Sequence, residues 1–294
     1  MAADQGRRFR LTVKKELERL EKLERQMELA ALRQTEPGWR TALEEKVPQK
    51  VRANLQKAFC KAFSVVFEQG SGWIEKTYDK EELQKDHKIH NYAVQIKRNK
   101  KELRRMYKNA GAADLRNMAV TTAEGAGLGL LGIGLPDIVI FTSMLIRGAY
   151  ETALRYGFDY DSPQERFLIL KMFEAALSRG EARRRAGRAV DGICAAHPTP
   201  ETVRTHMQAQ IDRTAQAFAM DMLVLKFIQG LPLVGIVGGA ANPVYYRRVM
   251  KYVRLKYQQR YLRKILEETA VRKEDHLAGA DELAGADERM SSSR

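Results

Sequence analysis

Apolar residues return every three or four positions along most of this 294-residue chain, and no segment sustains an apolar–polar alternation of period two. A chain with that rhythm buries its stripes helix against helix, so the expected fold is all-α, a multi-helix single domain. Residues 7–34 read as a charged helix with Val13, Leu20 and Met27 seven apart and Leu23 and Ala30 at the partner position. Glu16 interrupts that seam, and Pro37-Gly38 ends the helix. Over 48–78, Val51, Leu55, Phe59, Ala62, Phe63, Val66, Trp73 and Ile74 share a face, with Lys50, Arg52, Lys57 and Lys61 off it. That pattern suits a helix lying in a membrane interface and equally a core helix with a wet back; the core reading is preferred. Residues 80–108 are the most charged stretch, with Tyr92, Ile96, Leu103 and Tyr107 as a thin apolar stripe.

The second half is more apolar. Residues 138–156 predict a mostly buried helix whose polar stripe is Arg147, Glu151 and Arg155. Ser162, Pro163 and Glu165 spell a capping box for a core helix over 163–179, with Lys171 and Glu174 on its narrow wet edge. Arg183, Arg184, Arg185 and Arg188 follow as a solvated cluster. A helix opening at Thr199-Pro200-Glu201 keeps Val203, Met207, Ile211, Ala215, Phe218, Met222 and Leu225 on its face. The basic helix 245–266 lines one side with Tyr246, Met250, Val253, Tyr257, Tyr261 and Ile265, and carries eight Lys or Arg between Arg247 and Lys264.

Gly-Leu-Pro occurs twice, as Gly134-Leu135-Pro136 and Gly230-Leu231-Pro232, each within a glycine-rich apolar stretch. Gly125 and Gly129, and Gly235 and Gly239, stand four apart, a spacing that lets helix backbones approach closely. Residues 227–246 run without a charge and are long enough to span a bilayer, but Pro232, Pro243 and the glycines oppose a straight span. Two helical hairpins that either dip into a leaflet or pack inside a soluble core fit better. Gly134, Leu135, Pro136, Gly230, Leu231, Pro232, Gly235 and Gly239 are the expected apolar lipid contacts.

The stretch GLGLLGIGLPDIVIFTSMLIRGAYETALRYGFDYDSPQERFLIL, Gly127 to Leu170, resembles the first signature of the EcsC family. LPLVGIVGGAANPVYYRRV, Leu231 to Val249, resembles its C-terminal apolar block, with Pro232, Gly235 and Asn242 in place. The resemblance covers roughly 45–266. Pro243 directly after Asn242 departs from the pattern. It implies a bacterial, helical, cytosolic or membrane-peripheral protein. The family is named for a protein encoded beside an ABC transporter, which implies a transporter or secretion process as context. The resemblance implies no reaction and no catalytic residue. Three parts follow: a charged N-terminal helix over 1–38, an EcsC-like helical domain over 39–270, and a disordered acidic tail over 271–294 that holds LAGADE twice in tandem from Leu277 to Glu288.

Charge then points to a partner. Against 37 Asp and Glu stand 51 Lys and Arg, a net of +14 that suits an anionic membrane surface, a nucleic acid or an acidic protein. Two cysteines, Cys60 and Cys194, make no disulfide framework, and no apolar leader stands near residue 1; a reducing cytosol, at the inner face of the cell membrane, is expected. On the basic helix, Arg247, Arg248, Lys251, Arg254, Lys256 and Arg260 are the expected contacts to anionic headgroups, with tyrosines at the apolar edge. The same mixture suits nucleic-acid phosphate with aromatic stacking, but it adjoins the most apolar stretch and lipid is preferred.

No catalytic constellation stands out. Gly127, Gly129 and Gly132 match GxGxxG, with Glu151 as the downstream acid, yet the surroundings are helical and Pro136 follows at once. Asp86, His87 and His90, with Glu82, lie at metal-ligand spacing on one charged helix, where exposed polar residues are the simpler reading; His197 and His206 are ordinary. Cys60 beside Lys61 reads as a small buried hydrophobe, and Asp137 as the N-cap of 138–156. No metal or cofactor is expected. The preferred function is non-enzymatic and membrane-peripheral. The alternatives are a lipid-binding or transfer module with an apolar cavity, an enzyme using Asp137 or the histidines, and a basic nucleic-acid binder.

Overall fold

The computed structural model describes residues 2–33, 47–68, 72–108, 136–228 and 243–291. Among the described residues every regular element is helical, as the periodicity predicts. The elements are α1 (Ala2–Arg33), α2 (Gln49–Glu68), the single turn α3 (Gly72–Glu75), α4 (Lys80–Lys97), α5 (Pro136–Arg155), α6 (Pro163–Leu177), α7 (Gly180–Ala196), α8 (Pro200–Ile228) and α9 (Pro243–Ser291). A short helical segment, 100–108, follows α4. Gly134, Leu135, Gly230, Leu231, Pro232, Gly235 and Gly239, and the glycines at 125, 127, 129 and 132, lie outside the described residues.

The long helix α9 packs against α1, α5 and α6; α8 lies between α2 and α6; α7 rests on α6 and α1; α4 docks on α5. Where α2, α5, α6, α8 and α9 converge, Phe218 is ringed by Phe59, Phe63, Phe141, Phe173 and Tyr245 at centroid distances of 5.2–6.3 Å. Such tilted and edge-on pairs place the positive ring edge against a neighbouring π face.

Several elements extend or correct the sequence reading. α1 is no separate segment: Phe9, Val13 and Leu20 are buried in the common core. Glu16, which seemed to break its seam, is buried and faces Lys100 at 2.5 Å and Arg19 at 3.0 Å. Burial alone would raise its carboxyl; the two cations outweigh that and hold it below its ordinary value. Residues 80–108 are two helices, because Arg98 turns left-handed at φ 44° and Asn99 Oδ1 accepts the Glu102 N–H at 3.0 Å to start the second. α5 opens at Pro136, so Asp137 stands in its first turn and not at the cap. Pro243 likewise begins α9, which accounts for its place after Asn242. α9 then runs to Ser291, through the acidic repeat where a disordered tail is expected. Leu, two Ala and Glu in each LAGADE are strong helix formers, and propagation from an existing helix avoids the cost of nucleation.

Polar residues expected to be wet are also buried. Lys171 donates to Glu174 at 2.8 Å and to Gln210 on α8 at 3.2 Å. Arg183 lies 4.0 Å over the Tyr252 ring and donates to the Ala175 carbonyl. Arg147 pairs with Glu151 at 2.9 Å, both about nine-tenths or more buried, while Arg155 turns to Asp86 at 4.0 Å.

The joint between α4 and α5 is close-fitting. Gly157, just after α5, has φ +77°, and a Cβ there would collide with the His87 imidazole. Since a carbonyl only accepts, His87 Nδ1 donates to the Arg155 oxygen at 3.0 Å, and the ring stands edge-on to Tyr261. Burial holds His87 below its ordinary pKa; the Arg155 carbonyl opposes this in part, while Lys264 and His90 add to it.

Two expectations follow from this joint. Gly157→Ala combines a left-handed backbone with a ring collision, and denaturant titration should show a loss of about 1–3 kcal/mol. His87 is kept neutral in the fold, so the unfolded chain takes its proton first as pH falls. Stability should be full above about pH 6.5 and decline below it, and His87→Gln should remove that decline in unfolding titrations across pH.

Candidate functional site

The basic helix is where sequence places the partner-binding charge, and the fold redirects half of it. Lys256 is 1% exposed; its ammonium meets Glu24 of α1 at 2.5 Å and Asp191 of α7 at 2.7 Å. Glu24 also accepts from Gln259 at 2.9 Å and Tyr252 at 3.3 Å. Burial would raise the Glu24 carboxyl, but Lys256, the Gln259 hydrogen bond and Arg183 hold it below its ordinary value. Arg260 clasps Glu165 of α6 with both terminal nitrogens, Nη2 to Oε2 at 2.9 Å, and lies 3.9 Å over the Phe158 ring. Tyr257 donates to the same carboxylate at 2.7 Å. Glu165 therefore does not close the expected capping box, although Ser162 accepts its N–H at 3.2 Å. Arg248 reaches Asp221 of α8 at 2.6 Å, and Arg179 meets the same oxygen at 2.8 Å.

Of the six expected headgroup contacts, Lys256, Arg260 and Arg248 are thus committed to internal carboxylates and Arg254 is half-buried; Arg247 and Lys251 are exposed. The tyrosines of that helix are core residues, with Tyr246, Tyr252 and Tyr257 fully buried.

A denser group of exposed cations lies elsewhere. Residues 85–108 hold nine Lys and Arg against two acids, Asp86 and Glu102, which is +7 of the chain's +14. Glu102 is buried and held by Lys97 at 3.1 Å. Lys88, Lys101, Arg104, Arg105 and Lys108 are exposed, and no ion pair of theirs is found among the described residues. Beside them, Ile89, Tyr92 and Ile96 are 65%, 69% and 60% exposed. The apolar stripe read from sequence divides here: Leu103 is buried and Tyr107 half-buried, whereas Tyr92 and Ile96 face out. Ile89 was missed, although its spacing to Tyr92 and Ile96 places all three on one helical face.

The nucleophile and ligand candidates have structural surroundings. Cys60 Sγ lies 3.3 Å from Asp212 Oδ1, and burial together with that carboxylate pushes the thiol up to about 12, the reverse of activation. Cys194 borders a cleft of about 320 Å³ with Glu165, His197 and Arg260, where burial raises its thiol as well. His87 turns inward to Arg155, and among the described residues no three His, Cys, Asp or Glu are grouped to hold a metal ion. Among them, too, no helix is long and apolar enough to cross a membrane.

The model of the EcsC protein family matches residues 12–262. Protein EcsC of Bacillus subtilis (strain 168) is 29% identical over 154 residues, which are 51% of this chain and 60% of that protein; the chain thus spans three-fifths of the relative's length. No solved structure matches.

Because Lys256 neutralises Glu24 inside the protein, Lys256→Met should destabilise the fold by about 3 kcal/mol at neutral pH, as measured by urea denaturation. A surface lysine replaced in the same way would shift stability by about 0.5 kcal/mol or less.

Proposed function

We propose that this chain, which belongs to the EcsC protein family, is a non-enzymatic protein that binds the anionic inner leaflet of the cell membrane peripherally. The observation behind this reading is the exposed cation of 85–108, half the net charge of the whole chain on 24 residues. Basic residues at an anionic bilayer gain roughly 1 kcal/mol each, and the gain falls off within a Debye length. Four cations of α9, Arg248, Lys256, Arg260 and Arg263, are answered by carboxylates from α1, α6, α7 and α8, whereas 85–108 holds Lys88, Lys101, Arg104, Arg105 and Lys108 exposed. Support of a membrane transporter or a secretion process at that leaflet is part of the proposal and rests on the family context alone.

Two observations weigh against the alternatives. The ring cluster around Phe218 fills the centre of the described core, the space where a lipid-transfer protein holds an acyl chain. The exposed apolar residues of α4 are two isoleucines and one tyrosine, whereas nucleobases are held by stacking on aromatic faces.

Co-sedimentation with phosphatidylcholine vesicles, with and without phosphatidylglycerol, tests the reading. The full chain should pellet with the anionic vesicles only. Replacing Lys88, Lys101, Arg104 and Arg105 with Gln should weaken that binding by roughly a hundredfold at low salt. A wild-type chain that stays in the supernatant with both vesicle types overturns the proposal.

A further inference from the structure

On the reading that the partner is an anionic bilayer, we infer that α4 is an interfacial anchor: Ile89, Tyr92 and Ile96 enter the headgroup–acyl boundary while the surrounding lysines stay among the headgroups.

The two faces of α4 have separate tasks. Its inner face holds the helix to the protein. Leu83 and Val94 are buried, Asn91 accepts from Tyr261 at 2.8 Å, Gln95 donates to Glu268 at 2.9 Å, and His87 donates to the Arg155 carbonyl. None of these contacts involves the outer residues. The described surface has five large exposed hydrophobics, and three of them are Ile89, Tyr92 and Ile96, within eight residues and on one face. Chance scatter would not align them, and a water-facing role favours polar residues there.

The charge around this stripe selects its occupant. Lys85 and Lys88 flank it on α4, and Lys101, Arg104 and Arg105 follow in the next segment, so an apolar ridge stands within a cationic field. An acidic protein would answer the charge but has no general need of the ridge. A bilayer answers both, with anionic headgroups outside and hydrocarbon within. A shallow groove of about 420 Å³ runs along the stripe past Tyr92, Asn91 and Ile96, with Lys88 and Arg98 at its edges. Tyrosine at the centre of the ridge suits the boundary, since its ring is apolar and its hydroxyl stays hydrated. Electrostatic attraction alone fades with salt, whereas apolar insertion does not, so the two contributions separate experimentally.

The test uses the full chain and phosphatidylcholine–phosphatidylglycerol vesicles at low and high salt. The wild type should retain part of its binding at high salt. The variant Ile89→Ser, Tyr92→Ser, Ile96→Ser should bind roughly tenfold or more weakly at either salt; electrostatic attraction still holds it at low salt, and its binding is lost at high salt. All three side chains are exposed and outside the core, so circular dichroism should show an unchanged fold. In addition, Tyr92→Trp should gain tryptophan emission, relative to the wild type, that lipids brominated on their acyl chains quench. If wild-type binding vanishes at high salt, or the triple serine variant matches it there, or Tyr92→Trp gains no quenchable emission, the anchor is overturned while electrostatic attachment stands. If the wild type binds no anionic vesicle at any salt, the underlying reading fails first.

Discussion

The structure depends on matching the cations of α9 to carboxylates from four other helices. α9 buries Leu255, Lys256 and Tyr257 in a row, which at 100° per residue span 200° and exceed the stripe of a helix buried on one side. A helix surrounded in this way must bury some of its polar side chains. Lys256 is answered by Glu24 and Asp191, Arg260 by Glu165, and Arg248 by Asp221, so α1, α7, α6 and α8 each supply an acid at a fixed position. Buried pairs add little net stability over apolar packing, but an unmatched partner is costly. Their effect here is on register: a slip of α1 or α7 along α9 would strand Glu24 or Asp191 away from the ammonium.

That arrangement explains what the sequence could and could not reveal. The helices were legible because periodicity is local: Val203 to Met222 on α8 and Tyr246 to Ile265 on α9 bury the faces that spacing assigns them. The depth of burial was not legible, because a helix wetted on one side and a helix enclosed on both present the same stripe. Lys171 beside Glu174, and Arg183 within its arginine cluster, looked solvated for this reason. Their partners Gln210 and Tyr252 lie 39 and 69 positions away in sequence, and only the tertiary fold brings them together.

The same blindness moved the candidate site. Eight cations in α9 looked like a membrane-facing surface because composition counts charges without showing which are answered. The acids that answer four of them are scattered over the first 221 residues and carry no local signature. The stretch 85–108 was equally basic, yet it read as a solvated face with a stripe running from Tyr92 to Tyr107. The left-handed turn at Arg98 divides that stripe, sending Leu103 into the core and leaving Tyr92 and Ile96 outside. A positive φ at an arginine has almost no sequence signal, since glycine or asparagine is the usual occupant.

The resulting division of labour follows from how each helix is attached. α9 is enclosed by apolar contacts and paired charges, and little of it can move without unpacking the core. α4 is held by two buried aliphatic side chains and a row of hydrogen bonds to Tyr261, Glu268 and the Arg155 carbonyl. Elements with few buried apolar contacts belong to the low-stability end of a fold, from which surface-binding segments are drawn. The outward isoleucines of α4 contribute nothing to that attachment, so they can leave water for another apolar phase without loosening the protein. Charge that the fold has already neutralised cannot attract a partner. Because α9 commits Arg248, Lys256, Arg260 and Arg263 to carboxylates of other helices, the exposed cations of α4 and the segment after it weigh more, and α4 is also the helix that exposes apolar side chains.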